Sequence, residues 1–229
     1  MLVLSLGLII AGKVAVTGLR TARDTVTVTG ASTERISSDY VDWTVEVTGR
    51  GPTQQAAYQN LQPYVKRTMA FLREQGIRDQ DLDLVVIRSN RNEVRHRNSG
   101  QLLSTSWTTR QPIKIGSPDV SRIQAISAQI NQLVGEGIPL TIQPPAYTYT
   151  KLAEKRVDML AKATADARKR AVAIAGEAGS GIGPITNADT GTFQITVPNS
   201  TEMSNFGSYD TSTIEKDITA VMGVTFRVQ

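Results

Sequence analysis

The chain has 229 residues, 40% of them hydrophobic, enough to bury one large core or two small ones and too many for wholesale disorder. Its 25 lysines and arginines stand against 21 aspartates and glutamates, a formal net charge of +4 that leans basic without nucleic-acid character. Cysteine is absent, which excludes disulfides, thiol nucleophiles, thiolate metal sites and iron–sulfur clusters.

In chain order, the opening MLVLSLGLIIAGKVAVTGL is apolar except for Lys13 and a few small polar residues. That approaches the roughly 20 residues needed to span a bilayer. No basic stretch precedes it and no small-x-small cleavage pattern follows, so residues 1–20 are expected to be a membrane anchor or uncleaved signal. Lys13, Arg20 and Arg23 run against the positive-inside rule for an exported domain, and a buried amphipathic or strand segment is the alternative. Residues 21–229 are expected to form one α+β domain.

Thr25 to Gly30 alternates Thr with Val, and Tyr40 to Gly49 puts Val41, Trp43, Val45 and Val47 on one face, both signatures of strands with one buried side. Ala57, Leu61, Val65, Met69 and Leu72 recur at helical spacing, which predicts a helix over Thr53 to Gln75 stopped by Gly76, with a kink or a late start at Pro63. Leu82 to Val94 and Leu102 to Ile115 read as a long hairpin turning at Asn98, Ser99 and Gly100. Asp119 to Val134 reads as a second helix, N-capped by Ser117 and closed by Gly135 and Gly137. The three prolines in IPLTIQPPAYTYT place its strand at a sheet edge or end it at Pro144.

The longest helical signal is Lys151 to Ala178, whose stripe takes in Leu152, Met159 or Leu160, Ala163, Ala167, Ala171, Ile174 and Ala178. Strands are expected at Ile185 to Val197 and Ile218 to Val228, with a polar loop between them. Clustered strands and hairpins give the fold class as α+β: antiparallel strands packed with two shorter helices and one long alanine-rich helix.

These features resemble the SIMPL-domain family of bacterial periplasmic and envelope-associated proteins. The resemblance rests on VTVTGAS and the alternating strand after Asp39, on FLREQGIRDQDL, on MLAKATADARKRAVAIAGEAGSGIGPI, and on the closing ITAVMGVTFRV. It implies an exported protein, in a family where some members form ring-like or channel-like oligomers and some are linked to oxidative-stress tolerance. It implies no catalytic residue.

The residues themselves offer little chemistry. His96 is the sole histidine, flanked by Arg95 and Arg97 near a hairpin turn, so a solvated surface residue is expected in place of a general base. Asp79, Asp81 and Asp83 are spaced like cation ligands, but a twelve-residue calcium loop starting there would need glycine and glutamate where Leu84 and Asn90 stand. Neither a cofactor nor a metal site is expected. The main polar concentration is basic: Arg88, Arg91, Arg95, Arg97 and, on the partner strand, Arg110. These are the candidate anion-binding residues, and a solvated hairpin is the plain alternative. Trp107 alone gives no stacking platform, so no nucleic acid is expected.

The expectation is therefore a non-enzymatic, N-terminally anchored envelope module that self-associates into homo-oligomers, with envelope or oxidative-stress protection as its setting. The alternative is a binding protein for lipid head groups or a polyanion, acting through the arginine hairpin.

Overall fold

The computed structural model describes residues 24–200 and 208–229, so the expected anchor at 1–20 lies outside the described residues. The described residues are α+β with nine strands, and they fall into two compact units.

The first unit comprises residues up to Ile36, Lys151–Asp210 and Glu215–Gln229. It holds β1 (Thr25–Ser37), the long helix α4 (Leu152–Glu177), β8 (Ile182–Thr196) and β9 (Glu215–Val228), with sheet order β1-β9-β8. Side-chain pairs Thr27–Thr225 and Thr33–Thr219 show β1 and β9 running in opposite directions, and β8 is antiparallel to β9. Strand alternation buries Ile218, Ala220, Met222, Val224 and Phe226, and α4 covers that face.

The buried stripe of α4 is Met159, Ala163, Ala167, Ala171 and Ala175, one residue in four. Ile174 and Ala178, expected in the stripe, are exposed, and Ala175 takes the inward place. The stripe is built from methyl groups because β1 comes very close. A Cβ on Gly30 would sit 2.8 Å from Ala167 Cα and closer still to the Ala163 carbonyl oxygen. Only a glycine facing alanines allows that approach. Gly30 therefore does not end the first strand, as the sequence predicts; β1 continues to Ser37.

The second unit comprises Ser37–Thr150 and Thr211–Ile214. Its sheet centres on β2 (Tyr40–Gly51) and β5 (Leu102–Ser117), antiparallel with Val41 opposite Ser117 and Gly51 opposite Trp107. On one side β5 pairs with β3 (Leu82–Leu84) and β4 (Arg88–Arg95); on the other, β2 pairs with β6 (Leu140–Ile142) and β7 (Ala146–Thr148). Pro144 and Pro145 separate β6 from β7, in accord with the expected edge position.

Helix α1 (Gln54–Glu74) packs on β2, where Gly49 and Gly51 lie against Ala57 and Leu61. Thr53 Oγ1 caps it by accepting from Ala56 N at 3.1 Å. It starts on time despite Pro63. The proline lies on the exposed side together with Gln59, whose carbonyl loses its helical partner and can meet water instead. The helix stops at Gly76, φ +83°, with Ile77 N donating to Leu72 O and Gly76 N to Arg73 O, which seats Ile77 in the core.

Two expected elements are divided. The strand Leu82 to Val94 breaks between β3 and β4 because it faces Pro112 of β5, which has no N–H to give. The Gln111 side-chain amide donates to Val85 O in its stead, while Val85 N donates to Pro112 O at 3.1 Å. The helix Asp119 to Val134 becomes α2 (Val120–Gln129) and α3 (Asn131–Gly135), and its N-cap is Asp119, not Ser117. Asp119 accepts from Arg122 N at 3.1 Å, while Ser117 Oγ accepts from Asp119 N one step earlier. The unit's core joins Trp43, Leu61, Phe71, Leu72, Ile113, Ile123 and Leu133, all essentially without exposure.

Closeness of α4 to β1 makes the stripe intolerant of size. Ala167→Leu is expected to cost about 1–3 kcal/mol by overpacking. Arg168→Leu, on the exposed face, should stay within about 0.5 kcal/mol. Gly30→Ala should lower the melting temperature at least as much as Ala167→Leu, since strand and helix backbones must part. Equal melting shifts for Ala167→Leu and Arg168→Leu would show that α4 turns another face inward.

Candidate functional site

The predicted arginines lie on the β4–β5 hairpin, and register divides them. Arg88 stands opposite Arg110, which stands opposite Thr48 of β2; Arg91 stands opposite Trp107, which stands opposite Gly51. Opposed residues share a face, so Arg88 and Arg110 point to one side, and Arg91 and Arg95 to the side that α1 covers nearer the base. Arg97 lies in the turn.

Several of these cations have carboxylate partners. Glu93 receives Arg95 at 2.7 Å and Arg91 at 2.9 Å, and Glu46 receives Arg110 at 3.4 Å. The Arg95 hydrogen bond, reinforced by the charge of Arg91, holds the Glu93 carboxyl below its ordinary 4.5. One acid serving two arginines leaves that face cationic.

The ribbon also has an apolar end that the sequence reading missed. Beyond the Gly51–Trp107 pair, Leu102–Ser106 has no third strand beside it, only β4. There Val94 is 55% exposed, Leu102 43% and Leu103 59%. The available signal was two consecutive leucines beside a turn, where a two-stranded ribbon has no core to receive them. The turn closes with His96 N donating to Gln101 O and Gly100 N to His96 O, and His96 is exposed with Nδ1 3.1 Å from Ser99 Oγ.

Elsewhere, ionic groups neutralise one another. Arg73 holds Asp79 at 2.6 Å, and Arg78 grips Asp81 with two bonds of 2.8 and 3.0 Å. Asp83 stands opposite Lys114, so the three aspartates do not converge. Among the described residues no group of three His, Asp or Glu side chains is placed to hold a metal.

Two hollows open on the second unit. One of about 390 Å³ contains Arg78 and Arg122, but Arg122 is bound to Asp119 at 3.0 Å and to Gly76 O. The other, of about 490 Å³, is lined by Tyr40, Asp42, Asp83 and Lys114 among others.

In the first unit, Lys155 and Lys162 bind Glu34, and Lys162 also reaches Asp158 at 2.8 Å. Those hydrogen bonds, Lys155 first, hold Glu34 below the ordinary carboxylate range. Lys216 is fully buried with Nζ 3.0 Å from Asp210 Oδ2. The sequence reading passed over it, although the period-2 pattern through Ile218 and Ala220 already points residue 216 inward.

A family model named SIMPL and described as a protein of unknown function matches residues 26–226. No curated protein sequence matches the chain. Among solved structures, a de novo designed protein, Foldit4, is similar at 14% identity with a TM-score of 0.23, covering 47% of this chain and 98% of its own. A phage SAM lyase in complex with S-methyl-5'-thioadenosine shows 16% identity and a TM-score of 0.23, covering 52% of this chain and 95% of its own. At such TM-scores neither bears on this chain's function.

The charge geometry has a direct readout. Arg95→Ser should let the Glu93 pKa, followed by NMR, rise toward 4.5, because the larger of its two stabilising contacts is gone. Arg91→Ser, Arg95→Ser and Arg97→Ser together should leave the melting temperature nearly unchanged, since all three lie outside either core. A cooperative loss of folding in the triple variant would show that the ribbon is part of the fold's support.

Proposed function

The chain belongs to the SIMPL family, and from that membership we propose that it is a non-enzymatic module of the cell envelope whose copies self-associate. The observation that carries this reading is β8. It lies at the outer edge of its sheet, and over its 15 residues Asp189 is the only charge. A long edge strand with few charges offers backbone groups to another chain, here along the part of β8 before Ile195, which already pairs with Ser208 and Asp210. Two copies joined edge to edge would form an isologous contact, and further contacts would extend it. The ribbon edge at β4 suits this less well, since its arginines would face like charges from a second copy.

The non-enzymatic part of this reading rests on ion pairs that occupy Arg78 and Arg122 beside a hollow of the second unit. A part in oxidative-stress protection rests on the family resemblance alone.

Light scattering coupled to size-exclusion chromatography on the full chain in mild detergent should give a mass above that of one chain. Ile185→Lys with Ala188→Lys, both at exposed positions of β8, should reduce it to the monomer without lowering the melting temperature. A monomeric parent, or an oligomer indifferent to the two lysines, would sink the reading.

The envelope placement rests on the apolar opening of the sequence and on the family. A compartment-sensitive reporter fused after Gln229 should be active outside the cytoplasm. Activity confined to the cytoplasm would overturn that placement.

A further inference from the structure

The hairpin between Arg88 and Arg110 contains five arginines and one glutamate, a net charge of +4. That equals the formal charge of the entire chain, so the other residues balance to zero. The ribbon is therefore densely cationic, with Glu46 of β2 reaching only Arg110 at its base. The same ribbon exposes Val94, Leu102 and Leu103 around its end, where neighbouring strands are absent.

Charge and apolar surface together narrow the partner. A soluble polyanion or nucleic acid would use the cations but leave the aliphatic groups in water, and Trp107 opposite Arg91 offers one aromatic face where a run of stacked bases would need several. A second copy would bring a second charge of +4 to the same place. A bilayer surface containing anionic lipid matches both features, with phosphates at the depth of the guanidinium groups and hydrocarbon just below.

We propose that the end of the β4–β5 ribbon docks onto an anionic lipid surface, Leu102 and Leu103 entering the boundary of the acyl region while Arg91, Arg95 and Arg97 meet lipid phosphates. From the last pairing with β2 the free part of the ribbon runs about five residues, or roughly 17 Å, and Arg91, Arg95 and Leu102 lie on the same face of it, so that face can lie flat against the headgroups. Glu93 holds Arg91 and Arg95 side by side on one face, ready for neighbouring headgroups. This proposal rests on the ribbon and is independent of self-association through β8, so either can fail alone.

The absence of cysteine makes a local probe simple. Gln101→Cys in the full chain, labelled with an environment-sensitive dye, reports the exposed end of the ribbon beside Leu102 and not the apolar N-terminal residues. With vesicles of equimolar phosphatidylcholine and phosphatidylglycerol the dye emission should shift to the blue; with phosphatidylcholine alone it should not. Adding Arg95→Ser and Arg97→Ser should weaken the apparent affinity about tenfold or more at low salt. That difference should shrink as salt shortens the Debye length toward about 3 Å at 1 M.

Adding Leu102→Ser and Leu103→Ser should abolish the blue shift, with melting temperatures of all variants near the parent's. A shift of equal size with neutral vesicles, or none with anionic ones, overturns the proposal. A shift produced by soluble polyphosphate without vesicles assigns the ribbon to a polyanion, and one produced by concentrating the protein alone assigns it to a copy interface; both reject the lipid surface.

Discussion

The packing of α4 on β1 and of α1 on β2 depends on backbone coming close to backbone. In the first unit Gly30 of β1 lies against Ala163 and Ala167 of α4; in the second, Gly49 and Gly51 of β2 lie against Ala57 of α1. Where two backbones come so near, dispersion between main-chain atoms does much of what large side chains do in an ordinary core. The consequence is clearest in the first unit, where the buried cluster on three strands and one helix contains three alanines and only one aromatic residue, Phe226. A core so thin has little room to collapse around an error. This explains why the alanine run in α4 repeats every fourth residue instead of alternating three and four as a thicker amphipathic face would.

The same economy constrains the rest of the surface. Units with modest cores gain from charges that cancel locally, and most charged side chains outside the ribbon do so: Arg35 with Asp217, Arg67 with Glu136, Arg170 with Asp166. Exposed pairs of this kind contribute little stability individually. Their larger effect is to lower the field of the surface around them.

Much of this was legible in the sequence because it follows from periodicity. The alternation of Val41, Trp43, Val45 and Val47, the spacing of Ala57, Leu61 and Met69, and the alanine stripe each fix a face, and each face is where the period puts it except at the end of the stripe, where Ala175 turns inward in place of Ile174 and Ala178. What escaped depends on a partner strand. The break between β3 and β4 comes from Pro112, whose missing donor is felt only by the strand paired with it. Gly30 reads as a strand end until a helix is laid across it. The arginines read as one patch because sequence counts them together, whereas the register sends Arg88 and Arg110 to one face and Arg91 and Arg95 to the other. The apolar end of the ribbon was hidden for a related reason: Leu102 and Leu103 look like core residues until the third strand is seen to stop at Gly51.

The ribbon is also where local rules of folding are broken. Arg88 directly opposite Arg110 is a like-charge cross-strand pair, which works against pairing, and three aliphatic side chains stand in water. A two-stranded ribbon is marginal by itself. This one is held by its base in the sheet, by Ser89 Oγ with Thr109 Oγ1 at 3.1 Å, and by Asn92 donating to Thr108 Oγ1 at 2.8 Å. Those bonds are polar and cross-strand, so they secure the register without asking the arginines or the leucines to contribute. The residues that hold the ribbon and the residues it displays are thus different sets. Folding alone would be served better by threonines and serines throughout, as at Ser104, Thr105 and Ser106. Residues that oppose the local fold while neighbouring ones secure it are the pattern expected where a surface is kept for a partner.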